Sequence, residues 1–403
     1  MKILKKAKFV ASIARSAAKS TISYCVKGPR CERWPLKFQV LRDVIYSISK
    51  IGNGASMTDD DIDSIDFEQL AASYKKHDLP DSEIPSHLGT YVSASIKVTE
   101  VPIDPELFVG TGPAEKGLIA LIKSDQDIAC SKRVIPYELI APTPLPGSAE
   151  LAAKCEPLTP NERIILYLHG GAYCLGSPTS HRGLTGRIAA QAGLRCFTID
   201  YRLAPLHPYP AQLHDAYISF CFLLQQGFRA ENIVLAGDSA GGNLVLALTL
   251  LLKHTGIPRV RGLVLLSPWT DIISQRPSIE RNKRFDYLVN MPMASPMARA
   301  RLFYAPGRRM SPELMAEMAH PLVSPVNADF SDFPPTLIQA GDKELLLDEI
   351  SELFHNILAA NPDRQDTYTY ECYADMIHVF HQFESLPCSL EAIARAGNFI
   401  KSL

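Results

Sequence analysis

The residues best suited to chemistry lie in "VLAGDSAGGNLVLAL", where Ser239 stands between Gly237-Asp238 and Ala240-Gly241. An apolar run precedes this serine and an apolar helical pattern follows it. A serine in a tight strand-to-helix turn has its hydroxyl raised above a sheet, which suits a nucleophile for acyl transfer. Glycines two before and two after it let strand and helix come close. The hydroxyl needs a base to take its proton, and the base needs a third group to orient it. Candidate bases are His378 and His381 in "YADMIHVFHQF". Candidate orienting acids are Asp342, Glu344, Asp348 and Glu349, packed into eight residues of "IQAGDKELLLDEI". Upstream, His169, Gly170, Gly171 and Ala172 of "YLHGGAY" end another apolar run. Backbone N–H groups in such a loop can stabilise the oxyanion that acyl transfer builds.

These residues need a scaffold. From about residue 132 onward, "ERIILYLHGG", "LRCFTIDYR", "ENIVLAGDS", "VRGLVLLSPW", "PTLIQAGD" and "DTYTYECY" alternate with helical patterns such as "HDAYISFCFLLQQ". That rhythm predicts an α/β fold, a mostly parallel central sheet with helices on both faces. Strands apolar at consecutive positions are buried on both sides. In "ELLLDEISELFHNIL", Leu346, Ile350, Leu353 and Ile357 mark a packed helix, so Asp348 and Glu349 read as its first-turn charges. Asp342 and Glu344 stay open as the acid.

Residues 1–130 lack this rhythm and are expected to form an N-terminal helical cap segment before a catalytic domain over 131–403. "PLKFQVLRDVIYSIS" carries Leu41, Val44, Ile45 and Ile48 on one helical face behind Pro35. "TDDDIDSIDFEQL" puts carboxylates at a predicted helix start. A cap insertion is expected at about 275–320, where six of the nine methionines fall: Met291, Met293, Met297, Met310, Met315 and Met318. Thioethers suit a surface that accommodates varied apolar ligands, or fill gaps in a small helical subdomain.

The 403 residues, 46% hydrophobic and 21% charged, have the composition of an ordinary globular protein. A net charge of −2 argues against nucleic acid as a partner. Residues 1–50 nevertheless carry twelve Lys/Arg against Glu32 and Asp43. The basic arm "MKILKKAKFVASIARSAAKS" reads as a helix covering the rest of the protein, as a peripheral contact with an anionic membrane, or as an organelle-targeting segment. No stretch approaches the roughly 20 apolar residues that span a bilayer. Nine cysteines without a CxxC pair fit free thiols, so an intracellular, cytoplasmic location is the default expectation.

"HGGAY", "DYRLAPLHPYPA", "GDSAGGNL", "PLVSPVNADFSDFPPTLIQAGDKELLLDE" and "DMIHVF", in this order over about 160–385, resemble the hormone-sensitive-lipase-like branch of the α/β-hydrolases, with its many carboxylesterases. The resemblance implies an α/β-hydrolase fold with a helical cap, and Gly171, Ala172 and Ala240 as oxyanion donors. Asp200, Tyr201 and Arg202 would brace the oxyanion loop, with His169, Gly170 and Asp238 in support. His378 matches the family's base. The family's acid stands four residues before an Asp-Glu pair, here Asp348-Glu349, which selects Glu344 with Asp342 as the alternative. Two departures are Glu344, where aspartate is commoner, and Ala172, where a third glycine is commoner.

The expected activity is hydrolysis of short- to medium-chain acyl esters by Ser239, His378 and Glu344 through an acyl-enzyme, with no metal or organic cofactor. The partner is a small-molecule ester; the resemblance also allows a homodimer. Two alternatives are a membrane-associated lipase or sterol/lipid ester deacetylase, and a non-catalytic ligand-binding member of the fold.

Overall fold

Five runs that are apolar at consecutive positions become the centre of one sheet. The computed structural model describes residues 2–52, 84, 87–97, 134–143, 154–255, 257–290, 303–304, 308 and 311–403. Its elements run α1 (Lys2–Lys27), α2 (Leu36–Gly52), β1 (Gly89–Lys97), β2 (Val134–Pro142), β3 (Ile164–Leu168), α3 (Pro178–Ala192), β4 (Arg195–Ile199), α4 (Ala211–Gln225) and β5 (Ile233–Asp238). They continue as α5 (Ala240–His254), β6 (Gly262–Leu266), α6 (Pro277–Asn282), α7 (Pro312–Met318), β7 (Thr336–Gly341), α8 (Leu347–Ala360), β8 (Tyr368–Tyr373) and α9 (Pro387–Ser402).

The eight strands lie in the order β1-β2-β4-β3-β5-β6-β7-β8, parallel from β4 to β8 and antiparallel where β1 meets β2 and β2 meets β4. Every residue of β3 to β7 is buried. The two-residue period of a strand sends alternate side chains to opposite faces. Ile164, Leu166, Leu168, Ile233 and Leu235 join the larger core with residues of α4, α5 and α8. Ile165, Tyr167, Val234 and Ala236 join a second core with α3 and α9. Burying each aliphatic side chain contributes roughly 1.5–3 kcal/mol, so these strands are stable only when covered on both sides.

The chain runs from β3 outward to β4, then crosses back to β5 on the other side of β3. The loops after β3 and β5 therefore diverge above neighbouring strands, leaving the crevice at which such sheets place their ligands. His169–Ala172 follow β3 and Ser239 follows β5.

The expected boundary at 130/131 is corrected at one point. β1, within the stretch assigned to a helical cap segment, is an edge strand of the sheet. Only Gly89 and Ile96 of "GTYVSASIK" are buried, so this edge strand has no continuous apolar run to announce it. The acidic "TDDDIDSIDFEQL" and Met291, Met293, Met297 and Met310 lie outside the described residues. Of the other two methionines in that stretch, Met318 is buried and Met315 exposed.

The helices expected near the N-terminus form a hairpin. Asp43 of α2 accepts Ser20 Oγ of α1 at 2.8 Å and pairs with Arg30 and Arg42. Trp34 and Phe38 then pack with Met376, Ile377 and Phe380 in a third apolar cluster around the segment that carries His378. Among the described residues no helix is long and apolar enough to cross a membrane.

Candidate active site

The turn from β5 to α5 puts Ser239 at φ 52° and ψ −120°, a left-handed backbone that costs a serine about 1–3 kcal/mol. Neighbouring strands hold it there. The Ser239 N–H donates to Leu266 O, and its carbonyl accepts Trp269 N–H, both at 2.9 Å. A Cβ at Gly237 would collide with the Gly241 backbone, and one at Gly241 with the carbonyls of Leu168 and His169. Gly241→Ala is accordingly expected to destabilise the protein by about 3 kcal/mol or more. A lowered Tm, or loss of soluble protein, checks this; an unchanged Tm would count against the tight elbow.

Ser239 Oγ lies 2.8 Å from His378 Nε2, and His378 Nδ1 lies 2.9 Å from Glu344 Oε2. The histidine and the glutamate are both buried. Glu344 turns back on its own loop, where Oε1 accepts the Gly341 N–H at 2.5 Å and the Ser267 hydroxyl at 3.2 Å. Burial alone would depress the pKa of His378, but its hydrogen bond to Glu344 and the charges of Glu344, Asp286 and Asp238 raise it above the ordinary value.

The other acids of that loop are engaged elsewhere. Asp342 accepts the Asp375 N–H at 2.6 Å and pairs with Lys343 at 2.9 Å. Asp348 accepts the Ser278 N–H at 2.7 Å and meets Arg281. Glu349 is buried and accepts the amides of Thr270 and Asp271. His381 is also buried, and among the described residues neither of its ring nitrogens has a hydrogen-bond partner. Burial lowers its pKa to about 3, so it stays neutral.

In the loop after β3, Gly171 has φ 116° and its carbonyl accepts the amides of Cys174 and Leu175, which curls the loop. Ala172 follows at φ 53°, a conformation alanine reaches at a cost of about 1–2 kcal/mol. Among the described residues, neither the Gly171 nor the Ala172 N–H donates to a protein acceptor. The Ala240 amide opens α5, where the first N–H groups have no intrahelical acceptor.

The expected supports divide. Gly170 N–H and Tyr167 OH both donate to Asp238 Oδ1, at 3.0 and 2.7 Å, which ties β3 and the loop after it to the turn after β5. Burial would raise the Asp238 pKa, yet His181 and Tyr167 hold it down to about 2. Tyr201 donates to His169 O at 2.6 Å and stacks on the His169 ring. Burial lowers the His169 pKa to about 3. Arg202 instead forks onto Asp215 of α4, and Asp200 is exposed with its N–H on Pro136 O. Of that trio, Tyr201 touches the loop directly. Cys174 is buried, which pushes its thiol up to about 12, so it is inert packing.

Several site residues escaped sequence reasoning. Ser267, at φ 47°, bonds Glu344 and also accepts the Val379 N–H at 3.1 Å, joining the acid and histidine loops. Its place at the carboxyl end of "GLVLLS" was the available signal. Asn243 accepts the Tyr173 hydroxyl at 2.7 Å, and Phe303 stacks on Tyr173 with centroids 4.1 Å apart. Phe303 carried no signal, because its partner lies far off in sequence.

Residues 165–382 match a family model described as the alpha/beta hydrolase fold. An acetyl-hydrolase of Streptomyces hygroscopicus is 34% identical over 64% of this chain and 83% of its own length. An esterase of Acinetobacter venetianus is 33% identical over 60% of this chain and 75% of its own. Among solved structures, an esterase of the bacterial hormone-sensitive lipase family superposes with a TM-score of 0.59 at 27% identity, covering 90% of this chain and 97% of that one. EstE5, soaked with p-nitrophenyl butyrate, superposes with a TM-score of 0.61 at 26% identity, covering 89% of this chain and 96% of that one.

Proposed function

Because this chain belongs to the α/β-hydrolase fold family, we propose that it is a serine carboxylesterase working on short- to medium-chain acyl esters through an acyl-enzyme. The observation that carries the reading is the unbroken hydrogen-bonded chain from Ser239 Oγ through His378 to Glu344. His378 takes the serine proton as Oγ attacks the ester carbonyl. The amides of Gly171, Ala172 and Ala240 receive the oxyanion. Collapse of the intermediate expels the alcohol, which His378 protonates. Water, deprotonated by the same histidine, then attacks the acyl-enzyme and releases the acid. Glu344 stays ionised throughout and holds the imidazole with Nε2 toward the serine. The relatives named esterase and acetyl-hydrolase support the ester class.

The N-terminal hairpin, which packs through Trp34 and Phe38 on the segment that carries His378, serves as part of a cap. A p-nitrophenyl ester series from acetate to palmitate tests the reading: kcat/KM should peak at short or medium acyl chains. A rise toward palmitate would move the reading to a lipase. The same assay carries a pH prediction. The working base is neutral His378, whose pKa is raised above 6.5, so kcat/KM should fall on the acid side with an apparent pKa above that value. An acid limb below it would contradict the Glu344 contact.

A peripheral membrane contact is a second reading, favoured by one observation. Ile22 and Val26 of α1 are 63% and 75% exposed, on a helix whose exposed Arg15 and Lys19 are cationic. The 403-residue chain should co-sediment with anionic vesicles and not with neutral ones; failure to pellet with either would end this reading.

A further inference from the structure

The Glu344 loop is held from outside its own sheet. Asn282 Nδ2 donates to Asp342 O at 3.1 Å and to Glu344 O at 2.8 Å. Ser278 Oγ donates to Leu345 O at 2.6 Å. Asp286, fully buried, accepts the Leu345 N–H with one oxygen at 2.8 Å and the Leu288 N–H with the other at 3.1 Å. The carbonyl and the N–H of the Glu344–Leu345 peptide are thus both gripped by the segment 278–288.

That segment has its own anchor. Arg42 of α2, 1% exposed, donates from Nε to Phe285 O at 2.5 Å and from Nη2 to Arg284 O at 2.7 Å. Its third nitrogen is paired with Asp43 at 2.8 Å. This buried guanidinium directs Nε and Nη2 onto the two carbonyls that immediately precede Asp286. Such a planar fork fixes direction as well as distance. On the other side of the histidine, Trp34 Nε1 donates to Asp375 O at 2.5 Å, while Trp34 and Phe38 pack on Met376 and Ile377. One stretch, Trp34 to Arg42, therefore holds the acid loop and the base loop together.

We propose that Asp286 is a positioning residue for the Glu344–His378 pair, and that Arg42 of the N-terminal hairpin holds Asp286 in place. The hairpin then supports the acid–base pair in addition to its place in the cap. This rests on the reading of Ser239, His378 and Glu344 as an esterase site.

The electrostatics agree. The groups whose charges or rings face His378 are Glu344, Asp286, Asp238, Tyr287 and His381. Burial raises the Asp286 carboxyl to about 6, with His378 and the Leu345 amide opposing. Above that pH Asp286 is a second anion that favours protonated His378. Removing it lowers the histidine's pKa and leaves more neutral base at low pH.

The test measures kcat and KM for p-nitrophenyl butyrate across the pH range for wild type, Asp286→Asn and Arg42→Lys, with Tm by circular dichroism. Asp286→Asn keeps the shape but loses the charge and one of the two amide bonds. Its acid limb should move down by about half a unit or more. Its plateau kcat should fall about 10-fold with KM within about twofold. An unmoved limb would reduce Asp286 to structural support and overturn the inference. If Asp286→Asn does not fold, Arg42→Lys decides, because a lysine ammonium cannot reach both carbonyls in a fork. A fall in kcat at unchanged KM and Tm supports the proposal, and a wild-type kcat overturns it. Hydrolysis missing from wild type would sink the esterase reading itself, whereas an active wild type with an unmoved limb sinks this inference alone.

Discussion

Ser239→Ala is expected to lower kcat/KM for p-nitrophenyl butyrate by roughly 10⁴-fold or more, with Tm essentially unchanged. The Ser239 hydroxyl meets His378 Nε2 at 2.8 Å. Deleting it removes the proposed nucleophile and leaves the turn in place, because the turn is held by backbone bonds to Leu266 and Trp269. The oxyanion amides would remain, so a small residual rate over water is consistent with the mechanism. Hydrolysis at wild-type rate in the variant would remove Ser239 from the chemistry and overturn its assignment as nucleophile. Pre-steady-state traces supply a second check: the wild type should release a burst of p-nitrophenol if deacylation is the slower step.

Glu344→Gln is the second large effect, with kcat expected to fall roughly 10³–10⁴-fold while Asp342→Asn stays within about threefold of wild type. The amide has nearly the shape of the carboxyl group. It differs in presenting a donor as well as an acceptor and in carrying no charge. His378 Nδ1–H would no longer be held firmly, the other tautomer would become competitive, and the imidazolium formed during attack would lose its counter-charge. Glu344→Asp withdraws the carboxylate by about 1.5 Å, enough to break a 2.9 Å contact unless the loop follows. Asp342 faces the other way, onto Asp375 N–H and Lys343, so its loss costs local stability and spares turnover. If Asp342→Asn abolished turnover and Glu344→Gln spared it, the assignment of the acid would reverse.

Much of the scaffold was legible because its signal is local. Strands β3 to β8 were marked by their β-forming runs, and Ser239 by glycines whose absent side chains the elbow requires. The edge strand β1 was not legible: with one face open and few apolar positions, "GTYVSASIK" has the pattern of a loop. Counting back from Asp348-Glu349 selected Glu344 by resemblance. The residues alone left Asp342 equally eligible, since both leave the same strand end two positions apart. The trio Asp200, Tyr201 and Arg202 was expected to act together, yet neighbouring side chains at a strand end point to different partners: Tyr201 lies against His169 of the loop after β3, while Arg202 forks onto Asp215.

By itself the sequence determined the parallel sheet, the elbow serine, the glycine loop after β3 and a short list of acids and histidines, because each is a property of adjacent residues and their backbone freedom. The tertiary structure decided which members of that list meet. Glu344 reaches His378 because Gly341, Ser267, Asn282 and Asp286 fix the loop around it, and those groups come from three separate stretches of chain. Arg42 is the extreme case: 244 positions separate it from Asp286, and its place beside the site follows from the packing of Trp34 and Phe38 on the histidine loop. Hydrogen bonds and charge act through space, so a contact between distant stretches leaves no mark on the spacing of either.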